Sequence, residues 1–330
     1  MIDFFKCEVF GLKASDWLDN VYLDFTETAS MKTGLINNKR IANFSCLKFI
    51  IYDDENICRM FIHGSIHKFF NLWNWIYAPN QKTVRERSEG FNGNSFTYSN
   101  LVFSLQVLTD KFNVDLKKTA IQNLEFGVNC IHSFITSSIL ANLMLHKQKV
   151  FNKPLSNTFR EAEHFQFYIK CYDKALQYGM LDEVIRFELK YKKMHQLNEI
   201  GINNLLDLIS IKNLERLKAI LLQRWSEVLI YDYTINETAL TTIDRIRIKD
   251  FKNPNYWLSF KSNRLDRPKK SYAKIEAQHS DRIKIQIQQI ISNEWDKLMM
   301  CVSSDHSDIR SILTHPNNLL LNFPILQTHY

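Results

Sequence analysis

The sequence predicts an α+β fold, with strands dominating residues 1–195 and helices dominating residues 196–330. Three observations carry this. Phe167–Lys193 contains two runs of alternating character, with Phe167, Ile169 and Cys171 on one side of the first and Ile185, Phe187 and Leu189 on one side of the second. Ala42–Lys68 reads as a hairpin of β-rich segments around a polar turn. From about His195 onward the apolar spacing turns helical, in GINNLLDLISIKNLERLKAILLQRWSEVLIYDY and again in AKIEAQHSDRIKIQIQQIISNEWDKLMM.

In chain order, the opening MIDFFKCEVFG alternates weakly and stops at Gly11, as a first strand would. In the hairpin, Phe44–Tyr52 leads through Asp53-Asp54-Glu55-Asn56 to the return strand Cys58–His67. There His63, Ser65 and His67 share a face opposite Met60, Ile62 and Ile66. The aromatic stretch FFNLWNWIYAPNQ then runs into the polar loop KTVRERSEGFNGNS, and long polar loops in compact domains are often functional. A helix starts at Thr97 or Ser99, either of which can cap it, and buries Leu101, Leu105, Leu108 and Phe112. In QNLEFGVN a short strand turns Leu124, Phe126 and Val128 inward and Glu125, Gly127 and Asn129 outward. A helix over about Ser137–Lys147 precedes the two alternating runs. The basic segment NPNYWLSFKSNRLDRPKKSYAK, with interleaved aromatics, separates the helical stretches, and a polar tail follows Val302.

Composition bounds the function. With 45% hydrophobic, 13% aromatic and 23% charged residues in 330, the chain is an ordinary globular one with ample core. A net charge of +7 leans towards a polyanionic partner. Six cysteines without zinc-type spacing read as free thiols of a cytoplasmic protein, not as a metal or disulfide framework. No apolar run approaches the ~18 residues of a membrane span, so no membrane partner is expected.

The chemistry sits on the polar faces of the strands. Glu125, Glu188 and His67 (or His63) each lie on such a face; as neighbours in one sheet they would converge on a hard cation, Mg²⁺ or Mn²⁺. Tyr172, Lys170, Lys174, Arg186 and Lys190 would surround it. A metal on a phosphoryl oxygen, a lysine beside it and a tyrosine nucleophile suffice for phosphodiester transfer. Each residue also has a blander reading: a solvated glutamate, a packed tyrosine, an exposed histidine edge. Likewise, Tyr256–Lys274 could be a solvated helix flank.

These segments, in order, resemble a known family. HGSIHKFFN, GFNGNSFTYSNL, QNLEFGVN, YIKCYDKALQY, VIRFELKYKKMHQL and IGINNLLDLI, spanning about Phe61 to Tyr233, are similar to replication initiators of filamentous phages and related plasmids, the gene-two/gene-ten type. The YDK followed by RFELK is the most specific part. The resemblance extends, more loosely, to rolling-circle plasmid initiators. It implies an antiparallel sheet with flanking helices, a rolling-circle Rep or HUH-like nickase core, and a metal-dependent, site-specific DNA nicking endonuclease and strand transferase. Such an enzyme is joined to a 5′ phosphate through tyrosine and leaves a 3′ hydroxyl for a host polymerase. Its partners would be single- and double-stranded origin DNA, with a helicase beside the polymerase. On this reading residues 1–195 are the nickase. Residues 196–330 bind or orient DNA. Glu125, Glu188 and His67 hold the metal; Tyr172 attacks, with Tyr191 as the competing nucleophile; Lys174 or Lys190 neutralises charge on the phosphate. Lys68, Lys170, Arg186, Arg267, Lys269, Lys270 and Lys274 contact the DNA. One departure stands out: His63-Gly-Ser-Ile-His67 is not the histidine–hydrophobe–histidine triplet common in related enzymes.

Overall fold

The computed structural model describes residues 1–29, 36–54, 57–152, 157–261 and 264–300. Among them are strands β1 (Ile2–Val9), β2 (Thr26–Ala29), β3 (Ile36–Phe44), β4 (Leu47–Asp54), β5 (Ile57–Ser65) and β6 (Thr119–Ile131). The rest are β7 (Leu143–His146), β8 (Lys149–Val150), β9 (Phe159–Glu163), β10 (Phe167–Asp173), β11 (Val184–Tyr191) and β12 (Val228–Ile230). Nine of them form one antiparallel sheet in the order β2-β3-β4-β5-β1-β6-β11-β10-β9, and β12-β7-β8 form a small second one. The chain is thus mixed α and β, with a large antiparallel sheet and helices.

Alternation gives the large sheet two unlike faces. Phe5, Cys7, Phe49, Ile62, Phe126, Val128, Ile169, Phe187 and Leu189 are all buried on one of them. Helices cover that face. Phe112, at the end of helix Tyr98–Phe112, meets Phe49 at 4.7 Å between ring centres. Trp225 of helix Ile211–Ser226 meets Phe187 at 5.1 Å, and Trp295 of helix Ile283–Met299 meets Phe126 at 6.4 Å. Helices from beyond residue 195 therefore close the same core as the strands before it, each buried aromatic contributing on the order of 2–3 kcal/mol. A second, smaller core lies between the small sheet, the connection that follows β12 and helices Thr242–Phe251, Pro254–Leu258 and Asp266–His279.

Several expectations hold: β1 ends before Gly11, Thr97 caps its helix through Asn100 N, and β10 and β11 bury the faces expected of them. Others are corrected. Phe44–Tyr52 is not one run, because Ser45 and Cys46, at φ 47° and 66°, make a tight turn between β3 and β4. Consecutive left-handed residues suit a two-residue hairpin, yet neither is the Asn or Gly that would announce one. Asp53 and Asp54 belong to β4, while Glu55 and Asn56 of the expected turn lie outside the described residues. The helix expected over Ser137–Lys147 stops at Ala141, and Leu143–His146 becomes β7. Among its described residues the helical region holds one strand, β12, which pairs with β7. The tail after Val302 lies outside the described residues.

Gly127 sets the spacing of the two central strands. A Cβ there would stand 2.2 Å from Phe187 O and 2.6 Å from Glu188 Cα. Gly127→Ala is expected to cost about 1–3 kcal/mol, read as a lower urea midpoint at constant slope. An unchanged midpoint would show that β6 and β11 can separate freely.

Candidate active site

The face away from the helices carries the polar side chains, and register decides which of them meet. Across β10, β11 and β6, Tyr172 lies opposite Arg186 and Asn129, Lys170 opposite Glu188 and Gly127, and Tyr168 opposite Lys190 and Glu125. Because Gly127 has no side chain, Glu188 and Lys170 have room to reach Glu125. Lys170 Nζ donates to Glu125 Oε2 at 2.8 Å and to Glu188 Oε1 at 3.1 Å. Tyr172 Oη donates to Glu188 Oε2 at 3.0 Å. These groups line a cleft of about 640 Å³ whose wall also includes Asp3, Lys48, His63, Lys68 and Lys174.

Asp3 is the member that alternation hides. The β1–β6 pairing advances two residues, Ile2 to Phe4, while β6 moves one, Phe126 to Glu125. Asp3 is the bulged residue, and a bulge re-aims a side chain that strict parity would send into the core. Its Oδ2 accepts from Asn92 Nδ2 at 2.8 Å and lies 2.9 Å from Arg186 Nη2, and its Oδ1 accepts from Ser65 Oγ at 2.5 Å. The Asp3–Arg186 approach is a charge contact rather than an aligned hydrogen bond. Arg186 Nε donates to Glu188 Oε2 at 2.6 Å and Nη1 to Asn129 Oδ1 at 3.0 Å, so one buried guanidinium ties both acids.

The Asn- and Gly-rich loop closes one side. Asn129 Nδ2 donates to the carbonyls of Asn92, Gly93 and Asn94. Asn92 Oδ1 in turn accepts from Lys174 Nζ and from Tyr178 Oη, both at 2.6 Å. Lys174, at the start of helix Lys174–Tyr178, thereby stays buried with amide partners only and packs over the rings of Tyr172 and Tyr178.

Burial and these pairs displace the titrations. Burial would lift the Glu188 carboxyl, but Lys170 and Arg186 overcome it and hold it at about 2. Burial likewise opposes ionised Asp3, yet Arg186 pulls it well below the carboxylate range. Glu125 moves up, from burial and the Glu188 charge. Burial lowers Lys174 to about 7, with Arg186 adding to it, and lowers His67 to about 3. The Tyr172 phenol is pushed up, by burial and then by Glu188. The unfolded chain therefore binds more protons than the fold at His67 below about pH 6.5, and at Asp3 and Glu188 below about pH 4.5. Stability from these groups is complete above that range and is lost as pH falls towards 2, with Glu125 opposing in part. The Met1 amine and His146, both lowered to about 4 by burial, act in the same direction, so acid titration by circular dichroism is expected to show loss of structure that is displaced to lower pH, though not removed, in His67→Gln. Coincident curves for the two proteins would contradict this.

The expected site residues divide. Glu125, Glu188, Lys170, Tyr172, Lys174 and Lys68 line the cleft, and Lys190 pairs with Glu125 Oε1 at 2.8 Å. His67 does not join them. Ser65 caps helix Ile66–Trp73 by accepting from Lys68 N, so His67 lies inside that helix and not on β5. Its Nε2 bonds Asn94 Oδ1 at 2.8 Å and its ring stacks on Phe96. His63, on the strand, does face the cleft. Tyr191 sits on the core face, fully buried against Phe126 and Phe167, because no bulge interrupts β11 to turn it round. Arg186 is 2% exposed and spent on Asp3 and Glu188, which removes it from direct DNA contact. Arg267, Lys269, Lys270 and Lys274 are exposed on helix Asp266–His279, while Trp257 and Tyr272 of the same segment are buried. Sequence reasoning placed Ser65 and Asn129 on polar faces without a role and missed Asp3, Asn92, Asn94 and Tyr178.

A divalent metal does not fit the site as arranged. The ammonium of Lys170 takes the position between the two carboxylates, and their remaining oxygens are held by Lys190, Arg186 and Tyr172. Among the described residues no three His, Cys, Asp or Glu side chains form a metal-holding group. Lys170→Met is therefore expected to open the Glu125–Glu188 pair and raise Mn²⁺ affinity at least ~10-fold, read by electron paramagnetic resonance of free Mn²⁺. Equal binding by the two proteins would mean that the metal displaces the lysine without cost.

No protein-family model matches the chain. No curated protein is significantly similar to it. Among described residues no helix is long and apolar enough to cross a membrane. Among solved structures, the chain is similar to a rolling circle replication initiator protein from Geobacillus stearothermophilus, with a TM-score of 0.39 and 12% identity over 76% of this chain and 96% of that one. A likeness that distant assigns neither a family nor an activity.

Proposed function

We propose that the cleft binds the DNA backbone and that the chain is a rolling-circle replication initiator, of HUH-like type, that nicks and rejoins one strand. One observation carries the reading: a tyrosine hydroxyl, two glutamates and two lysines from distant segments meet in a single open cleft. The ordered sequence segments that resemble phage and plasmid initiators support it. In the reaction, Tyr172 Oη attacks phosphorus and the bond from phosphorus to the 3′ oxygen breaks, giving a tyrosine–5′-phosphate and a free 3′ end. Glu188, its hydrogen-bond acceptor, orients the phenol; held at about 2 it does not keep the proton, which leaves to solvent through the cleft. The leaving oxygen takes a proton from Lys174, which at a pKa of about 7 exists in both forms near neutrality. Lys170 and Lys174 offset the charge that builds on the phosphate. Rejoining is the same step reversed. Mg²⁺ or Mn²⁺, expected from the resemblance, has no place between Glu125 and Glu188 while Lys170 stands there, and no step above runs through it. Residues 1–195 supply this chemistry, and residues 196–330 orient origin DNA through Arg267, Lys269, Lys270 and Lys274, with a helicase and polymerase acting at the freed end.

A second reading is a non-enzymatic DNA-binding regulator on the same fold. It is favoured by the phenol, which is held protonated, and by carboxylates already saturated with cations. One assay separates the two. Supercoiled DNA carrying the gene and its flanks is incubated with the protein, with and without Mn²⁺. Nicked circles and a covalent protein–DNA adduct support the enzyme; binding without either supports the regulator.

A further inference from the structure

A second hollow, of about 670 Å³, opens at the far end of β10 and β11, walled in part by Lys149, His164, Phe165, Lys192 and Lys193. Its three lysines meet a single carboxylate in that wall, Glu163, already held by Lys192 at 2.6 Å. Phe165, in the connection between β9 and β10, is 77% exposed. The Lys193 ammonium lies 3.4 Å from its ring centre and covers one face. A large apolar ring left open to water beside Lys149 and Lys193 has no role in the core. Beneath it the wall is firm: His164 stacks on Phe167 and bonds buried His146 at 2.7 Å.

The polar face of β10 and β11 runs from the cleft to the hollow. From Lys170 the polar face passes to Tyr168 and Lys190, which lie opposite each other, then to Lys192, 4.3 Å over the Tyr168 ring. Lys170 to Phe167 is strand, roughly 10 Å, and Phe165 sits just beyond it in the tight bend between β9 and β10, which the His164 N–Phe167 O hydrogen bond closes. Cations and aromatic rings alternate along that path.

We propose that this second hollow holds single-stranded nucleic acid running out of the cleft, with phosphates against Lys149 and Lys193 and one base on the open face of Phe165. The inference rests on the cleft being a DNA phosphate site. A single strand is required because in a duplex both faces of each base are taken by stacking, whereas an unstacked base can sit on an aromatic ring whatever its identity. Cations that track the backbone and rings that take bases are the two components such binding uses.

The test is fluorescence anisotropy of the full chain with a 5′-fluorescein oligothymidylate of roughly 16 nucleotides. Phe165→Ala is expected to weaken binding roughly 5- to 100-fold. The pair Lys149→Gln with Lys193→Gln should flatten the slope of log affinity against log salt by about 1.4, and Lys212→Gln, exposed on helix Ile211–Ser226, should change neither. Binding by Phe165→Ala within about twofold of wild type, or a duplex binding more tightly than the single strand, overturns the proposal. The two readings fail separately. An adduct at Tyr172 with no Phe165 effect removes the second hollow alone. A Phe165 effect without any adduct keeps the strand path and removes the nicking chemistry.

Discussion

Tyr172→Phe is expected to abolish the covalent adduct and to lower nicking by at least ~10³-fold, while DNA affinity stays within a factor of about two. The change removes one hydroxyl, which donates to Glu188, and leaves a ring still packed against Lys174 and Phe159. Loss of that neutral donor costs the fold little, since Glu188 keeps Arg186 and Lys170. The split between chemistry and binding is what identifies a nucleophile. Tyr191→Phe should leave the adduct intact, because Tyr191 faces the core. An adduct that survives in Tyr172→Phe sinks the assignment.

Arg186→Met is expected to lose about 3–5 kcal/mol of stability. Arg186 is the cation between Asp3 and Glu188 in a region where both acids are nearly inaccessible, at 5% and 1% exposure. Removing it strands two carboxylates in low dielectric, and the fold must then protonate them or admit water. The triple replacement Asp3→Leu, Arg186→Met, Glu188→Leu should lose less than the single change, because no buried charge is left without a partner. Urea unfolding measures both. If Arg186→Met unfolds within ~0.5 kcal/mol of wild type, the three groups are not coupled as drawn here.

How much of this was legible depended on whether a residue's partners lie within its own strand or across several. The inward faces of β6, β10 and β11 follow from alternation, a property of consecutive residues, and alternation alone puts Glu125, Glu188, Lys170 and Tyr172 on polar faces, where the structure has them. Asp3 was hidden because the bulge exists only where β1 meets β6. The position of His67 turned on Ser65 capping a helix at a point where strand parity reads on without interruption. The turn at Ser45 and Cys46 carries no Asn or Gly to mark it.

The sequence by itself determined the α+β class, the two faces of the central strands and the types of ionisable group on the polar face, because period-two patterning and side-chain chemistry are local. Only the tertiary structure decided which of those groups touch. Register set Lys170 between Glu125 and Glu188 where a metal was expected, and Arg186 between Asp3 and Glu188 where a DNA contact was expected. Opposite charges brought together out of water pair with whatever lies nearest, and what lies nearest is fixed by strand order, not by spacing along the chain.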